Sequence, residues 1–198
     1  MLYDLVSCPH RVRMDIYGDP ADRDEINPFV QMLLERGSIY ETEVIDKLGA
    51  PFLDLSIYAG DEKEYRTTEA MQQGEPLIYS ARMREGMLLG NPDLLRKETG
   101  GYVAGDIKSG AGEEGNEDNR KPKKHYAVQL ALYTDILERK GLSAGRRGFV
   151  WDVHDEVVPY DFDAPCSVRD PRTLWDYYLE TLHAAETIVN YGALTQAA

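Results

Sequence analysis

Cysteine is nearly missing from this chain, with only Cys8 and Cys166 in 198 residues. Two thiols cannot build the disulfide framework of a small secreted fold, nor supply four thiolates to a structural zinc or iron–sulfur site. A reduced, cytoplasmic setting is the expectation. Long apolar runs are missing too. No stretch approaches the roughly 18 residues that a membrane helix needs, and Met1 to His10 has neither a basic n-region nor an apolar h-region. Neither membrane association nor a secretory signal is expected. Basic residues are the minority, 22 against 35 acidic ones, for a formal charge of −13. Such a surface on average repels phosphates, so a nucleic-acid role must rest on a local patch or on metal ions. No Gly-x-x-x-x-Gly-Lys phosphate loop occurs, and neither a P-loop ATPase nor a serine-hydrolase elbow is expected. The four histidines are scattered without metal-ligand spacing.

With 42% hydrophobic and 29% charged residues, the chain reads as one globular domain over residues 1–198. Apolar residues recur at helical spacing over Asp4 to Tyr17 and Asn27 to Leu48, and Asn27-Pro28 is a good helix start. At 100° per residue, Leu33, Leu34, Tyr40, Val44, Ile45 and Leu48 share one arc of the second helix, and Glu41 falls inside it. A carboxylate there either reaches water at the edge of the stripe or needs a partner or a metal. Beyond Pro51 the pattern predicts a short strand at Phe52 to Ser56 and a short helix at Thr67 to Gln73. Strands over Leu77 to Met83, Met87 to Leu95 and Tyr102 to Lys108 would then form an antiparallel meander. Ser109 to Lys124 reads as a mobile loop, acidic then basic. Tyr126 to Arg139 is apolar nearly all round and predicts a helix buried against a sheet. Strands at Gly148 to Val153 and Val157 to Phe162 and a closing helix over Asp170 to Tyr191 complete an α/β sandwich around a mixed sheet.

The chemistry concentrates in Gly90-Asn91-Pro92-Asp93, Gly105-Asp106-Ile107-Lys108 and Gln129 to Tyr133. Asp106 and Lys108 are two apart in a strand and so project from one face, while Ile107 points into the opposite layer. Asp93 in the neighbouring strand can bring a second carboxylate beside Asp106. Mg²⁺ takes one or two carboxylates together with water and substrate phosphate, and Glu41 is a candidate third ligand. A partly buried lysine beside such a metal has a lowered pKa and can orient or deprotonate an attacking water. Alone, Asp-x-Lys is an ordinary same-face ion pair and Pro-Asp a strand-entry turn. Gln129 and Tyr133, one helical turn apart on one face, add to the coincidence.

Gly-x-Pro-Asp, then Asp106-Ile107-Lys108-Ser109-Gly110, then Tyr126-x-x-Gln129-Leu130-x-x-Tyr133 resembles the PD-(D/E)XK nuclease superfamily, in particular its RecB-like exonuclease branch. Ser7-Cys8-Pro9 and Arg36-Gly37-Ser38-Ile39-Tyr40-Glu41 also resemble that branch, so the likeness spans roughly residues 3 to 140. It implies a restriction-endonuclease-like α/β core, a central mixed β-sheet flanked by helices. It further implies a deoxyribonuclease dependent on Mg²⁺ or Mn²⁺, of exonuclease type, acting in DNA repair, recombination or defence. Asp93, Asp106 and Glu41 would bind metal, Lys108 would align the nucleophilic water, and Tyr126, Gln129 and Tyr133 would contact DNA or support the site. Many members carry a histidine where Tyr40 stands. The iron–sulfur cluster of some members is not expected, for want of cysteines. Arg120, Lys121, Lys123 and Lys124 form a basic run that either tracks the DNA backbone or is simply solvated. DNA is the expected partner, with a helicase or other nucleic-acid-processing protein as a further candidate. Two alternatives stay open: a nuclease fold serving as a binding or assembly module, and an enzyme directed at RNA.

Overall fold

A computed structural model describes residues 1–116, 120–167 and 169–195, with side chains described as far as residue 190. The N-terminal region holds α1 (Leu2–Ser7), α2 (Pro9–Tyr17) and α3 (Pro28–Lys47). The sequence predicts α1 and α2 as one helix. Pro9 divides them, because the residue before a proline is forced out of helical backbone, and Cys8 is extended at φ −160°. Asn27 caps α3, its side chain accepting the Phe29 N–H at 2.8 Å. Next come β1 (Leu53–Asp54), α4 (Gly60–Gln73), β2 (Leu77–Tyr79), β3 (Met83–Glu85), β4 (Leu88–Gly90), β5 (Leu94–Glu98) and β6 (Gly101–Ile107). They are followed by β7 (Glu113–Glu114), β8 (Lys121–Pro122), α5 (Lys124–Arg139), β9 (Ser143–Trp151), β10 (Val157–Asp161), β11 (Pro165–Ser167), β12 (Asp170–Thr173) and α6 (Leu174–Thr195).

The central sheet is mixed and six-stranded, in the order β1-β2-β5-β6-β9-β10. Strands β2, β5 and β6 are antiparallel neighbours, and β9 returns parallel to β6 after crossing through α5. A parallel return needs such a crossover helix. The meander therefore exists with different membership. The predicted strand Leu77 to Met83 ends at Tyr79, because Ser80 takes the left-handed backbone at φ 58°. The predicted strand Met87 to Leu95 is divided at Asn91-Pro92-Asp93, where proline offers no N–H to a ladder. Its first part, β4, pairs with β3 in a separate hairpin turning at Gly86, φ 57°. Likewise Asp170 to Thr173 is strand rather than the start of the closing helix.

Alternation along β6 sorts the layers. Tyr102, Ala104 and Asp106 face α5, whereas Val103 and Ile107 face α3 together with Leu94, Phe149 and the fully buried Val44. On the first side α5 lies against β6 and β9, with α1 and α6 packed behind it. Ala127, Leu130, Ala131 and Ile136 of α5 are completely enclosed, as its nearly all-round apolar composition predicts. Two motif glycines are demanded by ring packing. A Cβ on Gly105 would lie 2.2 Å from the Phe149 ring, and one on Gly90 would lie 2.6 Å from Tyr133. Among the described residues no helix is long and apolar enough to cross a membrane.

Candidate active site

The C-terminal end of β6 carries Asp106, and Lys108 follows just past it, both on the α5 side. Asp93 immediately precedes β5. Because Leu94 pairs with Gly105, Asp93 falls opposite Asp106, and its Oδ2 accepts the Ile107 N–H at 2.7 Å. The Asp93 backbone is also anchored: the N–H of Ser80 donates to its carbonyl at 2.7 Å. A non-glycine residue at positive φ is costly and persists only where its surroundings fix it. Here that turn holds Asp93 against the end of β6. Ser80 carries no sequence signal of this role.

The environment of Asp106 is unusual. It is 1% exposed, yet neither carboxylate oxygen accepts a hydrogen bond of good geometry. Its ion pair with Lys108, 2.9 Å between Nζ and Oδ2, is the compensation on hand. Burial pushes Asp93 well above the usual carboxylate range and the adjacent Asp106 charge pushes it further, against the pull of Lys108 and the Ile107 N–H. Burial lowers Lys108, but Asp106 and Asp93 outweigh it and the net shift is upward. In the metal-free chain Lys108 is thus held as the ammonium; the lowered pKa expected of it belongs to the metal-bound site.

Tyr133 and Gln129 reach toward this cluster from α5. Gln129 Nε2 donates to the Tyr133 hydroxyl at 2.8 Å, and that hydroxyl donates to the Asn91 carbonyl at 3.2 Å, tying α5 to the strand-entry turn. Gln129 Oε1 is buried without a partner. Burial, then the Asp106 and Asp93 charges, raises the Tyr133 hydroxyl well above its ordinary range, so it stays neutral. Tyr126 lies beside the lysines, with Lys108 Nζ 5.7 Å and Lys123 Nζ 5.2 Å from its ring centre. Tyr3 and His125 stack around it.

Glu41 comes from α3, on the opposite side of the sheet. The Tyr79 hydroxyl donates to its Oε1 at 2.9 Å, an interaction without sequence precedent in the motifs above. Its charge adds to the repulsion on Asp93, as the smallest of the contributions. Tyr40, where many RecB-like nucleases have histidine, points elsewhere and donates to the Asp152 carbonyl. Among the described residues no three His, Cys, Asp or Glu side chains are gathered closely enough to enclose a metal ion in this conformation. The pair Asp93 and Asp106 does fit one, because a buried carboxylate that accepts no well-formed hydrogen bond among the described residues, beside a second carboxylate, is a hard-oxygen donor set.

The basic run is divided. Lys121 pairs with Glu114 at 3.3 Å and Lys124 with Asp170 at 3.1 Å, Arg120 lines a separate pocket with Glu113 and Asp152, and Lys123 turns to the site beside Tyr126. Nor is Ser109 to Lys124 simply a loose loop. Strands β7 and β8 pair across it, and the Tyr160 hydroxyl donates to the Gly112 carbonyl and accepts the Lys123 N–H. Residues 117–119 of that run lie outside the described residues. The sequence does contain one Gly-x-Ser-x-Gly pattern, Gly141-Leu142-Ser143-Ala144-Gly145, against the expectation of no serine-hydrolase motif. It opens β9 rather than joining a strand to a helix, and the Ser143 hydroxyl donates to the Gly145 carbonyl, so it forms no nucleophile elbow. The sequence matches no protein-family model and no curated protein.

Proposed function

We propose that this chain is a divalent-metal-dependent nuclease of the PD-(D/E)XK type, with a restriction-endonuclease-like core, that hydrolyses DNA phosphodiester bonds. The observation that carries the reading is Asp106, buried with no hydrogen bond of good geometry to either oxygen among the described residues, set against Asp93 and ion-paired with Lys108. A folded protein leaves a buried carboxylate so poorly satisfied chiefly where a ligand completes it. Strand order supports the reading as well. A mixed six-stranded sheet flanked by helices, in which antiparallel β2, β5 and β6 are followed by the crossover helix α5 and the parallel strand β9, is compatible with such a core.

Asp93 and Asp106 are the residues that would hold Mg²⁺ or Mn²⁺, with Glu41 within electrostatic reach as a further ligand. When bound, such an ion supplies positive charge that polarises a phosphate and makes water a better nucleophile. Lys108 brings a cation to the same face, where its N–H groups can orient a water and meet charge growing on a phosphate oxygen. Tyr133 and Gln129 keep α5 and the Pro92-Asp93 turn in register, so the carboxylates do not have to be ordered when substrate arrives. Tyr126 and Lys123 form the adjoining wall, an aromatic face with a cation that suits a nucleic-acid strand.

End-labelled single- and double-stranded DNA, incubated with Mg²⁺, Mn²⁺ or EDTA, tests the reading. Cleavage that needs metal and is lost in Asp106→Ala and Lys108→Ala is the expected result, and the product ladder will report exonuclease or endonuclease action. Folded protein that cuts neither DNA nor RNA with either metal, and binds no Mn²⁺, would sink it in favour of a binding or assembly module.

A further inference from the structure

We infer that the chain forms a two-fold symmetric dimer through the N-terminal half of α3. Only the C-terminal part of α3 is seated on the sheet, through Val44, Tyr40, Ile45 and Leu48. Toward its N-terminus the helix runs on without cover among the described residues. At 100° per residue Val30, Leu33 and Leu34 continue the same arc, with Phe29 at its edge. Phe29 is 62% exposed, Val30 46%, Leu33 48% and Leu34 61%, and Ile26, just before the cap, is 65% exposed. Large apolar side chains this concentrated are not scattered surface hydrophobes but a contact face.

The occupant that fits is a second copy lying antiparallel. The five side chains present on the order of 500 Å² of apolar surface, so two copies would bury about 1,000 Å² before any rim contact, the lower limit for a specific interface. Charge favours the same arrangement. Asp24 and Glu25 lie at one end of the stripe and Arg36 at the other, and none of the three has an ion-pair partner among the described residues. Antiparallel pairing centred between Val30 and Leu33 brings Arg36 of each copy alongside the acidic end of its mate, whereas parallel pairing would set like charges together. The acidic flank also disfavours anionic lipid or nucleic-acid phosphate at this face.

Light scattering on the eluted full-length chain between about 1 and 100 μM is the test. The mass should rise with concentration from 22.4 kDa toward twice that value. Leu33→Glu should weaken association more than about tenfold without lowering the thermal midpoint, because the side chain is half-exposed in the single copy. Arg36→Glu should also weaken it, and adding Glu25→Arg should restore it. A wild type that stays monomeric throughout overturns the proposal, and so does a dimer indifferent to Leu33→Glu. Failure of the charge swap to recover association overturns the antiparallel pairing. A monomer that floats with phosphatidylcholine vesicles would reassign the face to a lipid surface. The result is independent of whether the chain cuts DNA.

Discussion

Two buried aspartates on the same side of the sheet are treated in opposite ways. Asp135, on α5, is 5% exposed and fully engaged: Arg139 donates to it through Nε at 2.8 Å and Nη2 at 3.0 Å, and the Tyr178 hydroxyl donates at 2.7 Å. Asp106, at the end of β6, is 1% exposed and receives no hydrogen bond of good geometry among the described residues, with Lys108 as its ion-pair partner and another carboxylate next to it. Asp152 resembles Asp135 rather than Asp106, since its oxygens accept backbone N–H groups from Gly112 and His154. The chain is therefore able to satisfy a buried carboxylate. Where that carboxylate holds elements together it is satisfied completely, and where it faces the proposed reaction it is left short of partners.

The sharpest way to break this contrast is to remove each aspartate in turn. Asp106→Ala and Lys108→Ala should each cut metal-dependent DNA cleavage by about a thousandfold, the usual cost of losing a charge that acts in the transition state. The thermal midpoint of Asp106→Ala should match or exceed that of the wild type, because it removes a poorly satisfied buried charge, whereas Lys108→Ala takes away the ion-pair partner of that charge and should lower it. Asp135→Ala should do the reverse. It strands the Tyr178 hydroxyl in the core and unties Arg139, costing about 2–3 kcal/mol in urea unfolding, while cleavage per folded molecule stays unchanged. If Asp106→Ala unfolded the chain and Asp135→Ala abolished cleavage, the assignment of roles would be wrong.

A finer test uses pH. Asp93 has its folded-state pKa raised, first by burial and then by Asp106. For such a group the contribution to stability is complete below the unfolded carboxylate pKa and is lost as pH rises through the folded value. At pH 7 without metal, Asp93 therefore works against the fold. Asp93→Asn keeps an oxygen for the Ile107 N–H and should stabilise the metal-free chain by about 1 kcal/mol at pH 7. That gain should shrink as pH falls toward 4, about the ordinary carboxylate pKa. Millimolar Mg²⁺ should raise the midpoint of the wild type and leave Asp93→Asn unmoved. An equal response in both proteins would remove Asp93 from the metal site.

The parts that were legible in the sequence are those governed by local periodicity. The two-residue spacing of Asp106 and Lys108 and the four-residue spacing of Gln129 and Tyr133 fix shared faces regardless of the rest of the chain. The cap at Asn27 needed only its neighbours. The losses have a different origin. The excursion of β3 and β4 away from the sheet depends on the backbone of Ser80 and on Pro92 interrupting what reads as one apolar run. The pairing of β1 with β2, and of β11 with β12, joins very short segments whose partners no local pattern announces. Tyr79 was invisible for the same reason, since its hydroxyl acts on Glu41, 38 residues earlier in the chain.

Tyr79 also sets the smallest effect expected within the site. A carboxylate has two oxygens, and Tyr79 occupies Oε1 of Glu41, leaving Oε2 without a hydrogen bond among the described residues. Burial and then the Glu41 hydrogen bond raise the Tyr79 hydroxyl far above its ordinary range, so it remains a donor at every working pH. Its ring is held independently, edge-on to Phe52 with 6.1 Å between centres. Tyr79→Phe should thus keep the packing and lose only the tether. If Glu41 serves the metal, its freed carboxylate must be reordered on each binding event. The metal concentration for half-maximal cleavage should then rise about threefold, under 1 kcal/mol, with the maximal rate nearly unchanged. Glu41→Gln should exceed that effect, and adding Tyr79→Phe to it should contribute nothing more. Full additivity of the two substitutions would mean that Tyr79 acts elsewhere, and would leave Glu41 as a solvated residue at the edge of the α3 stripe.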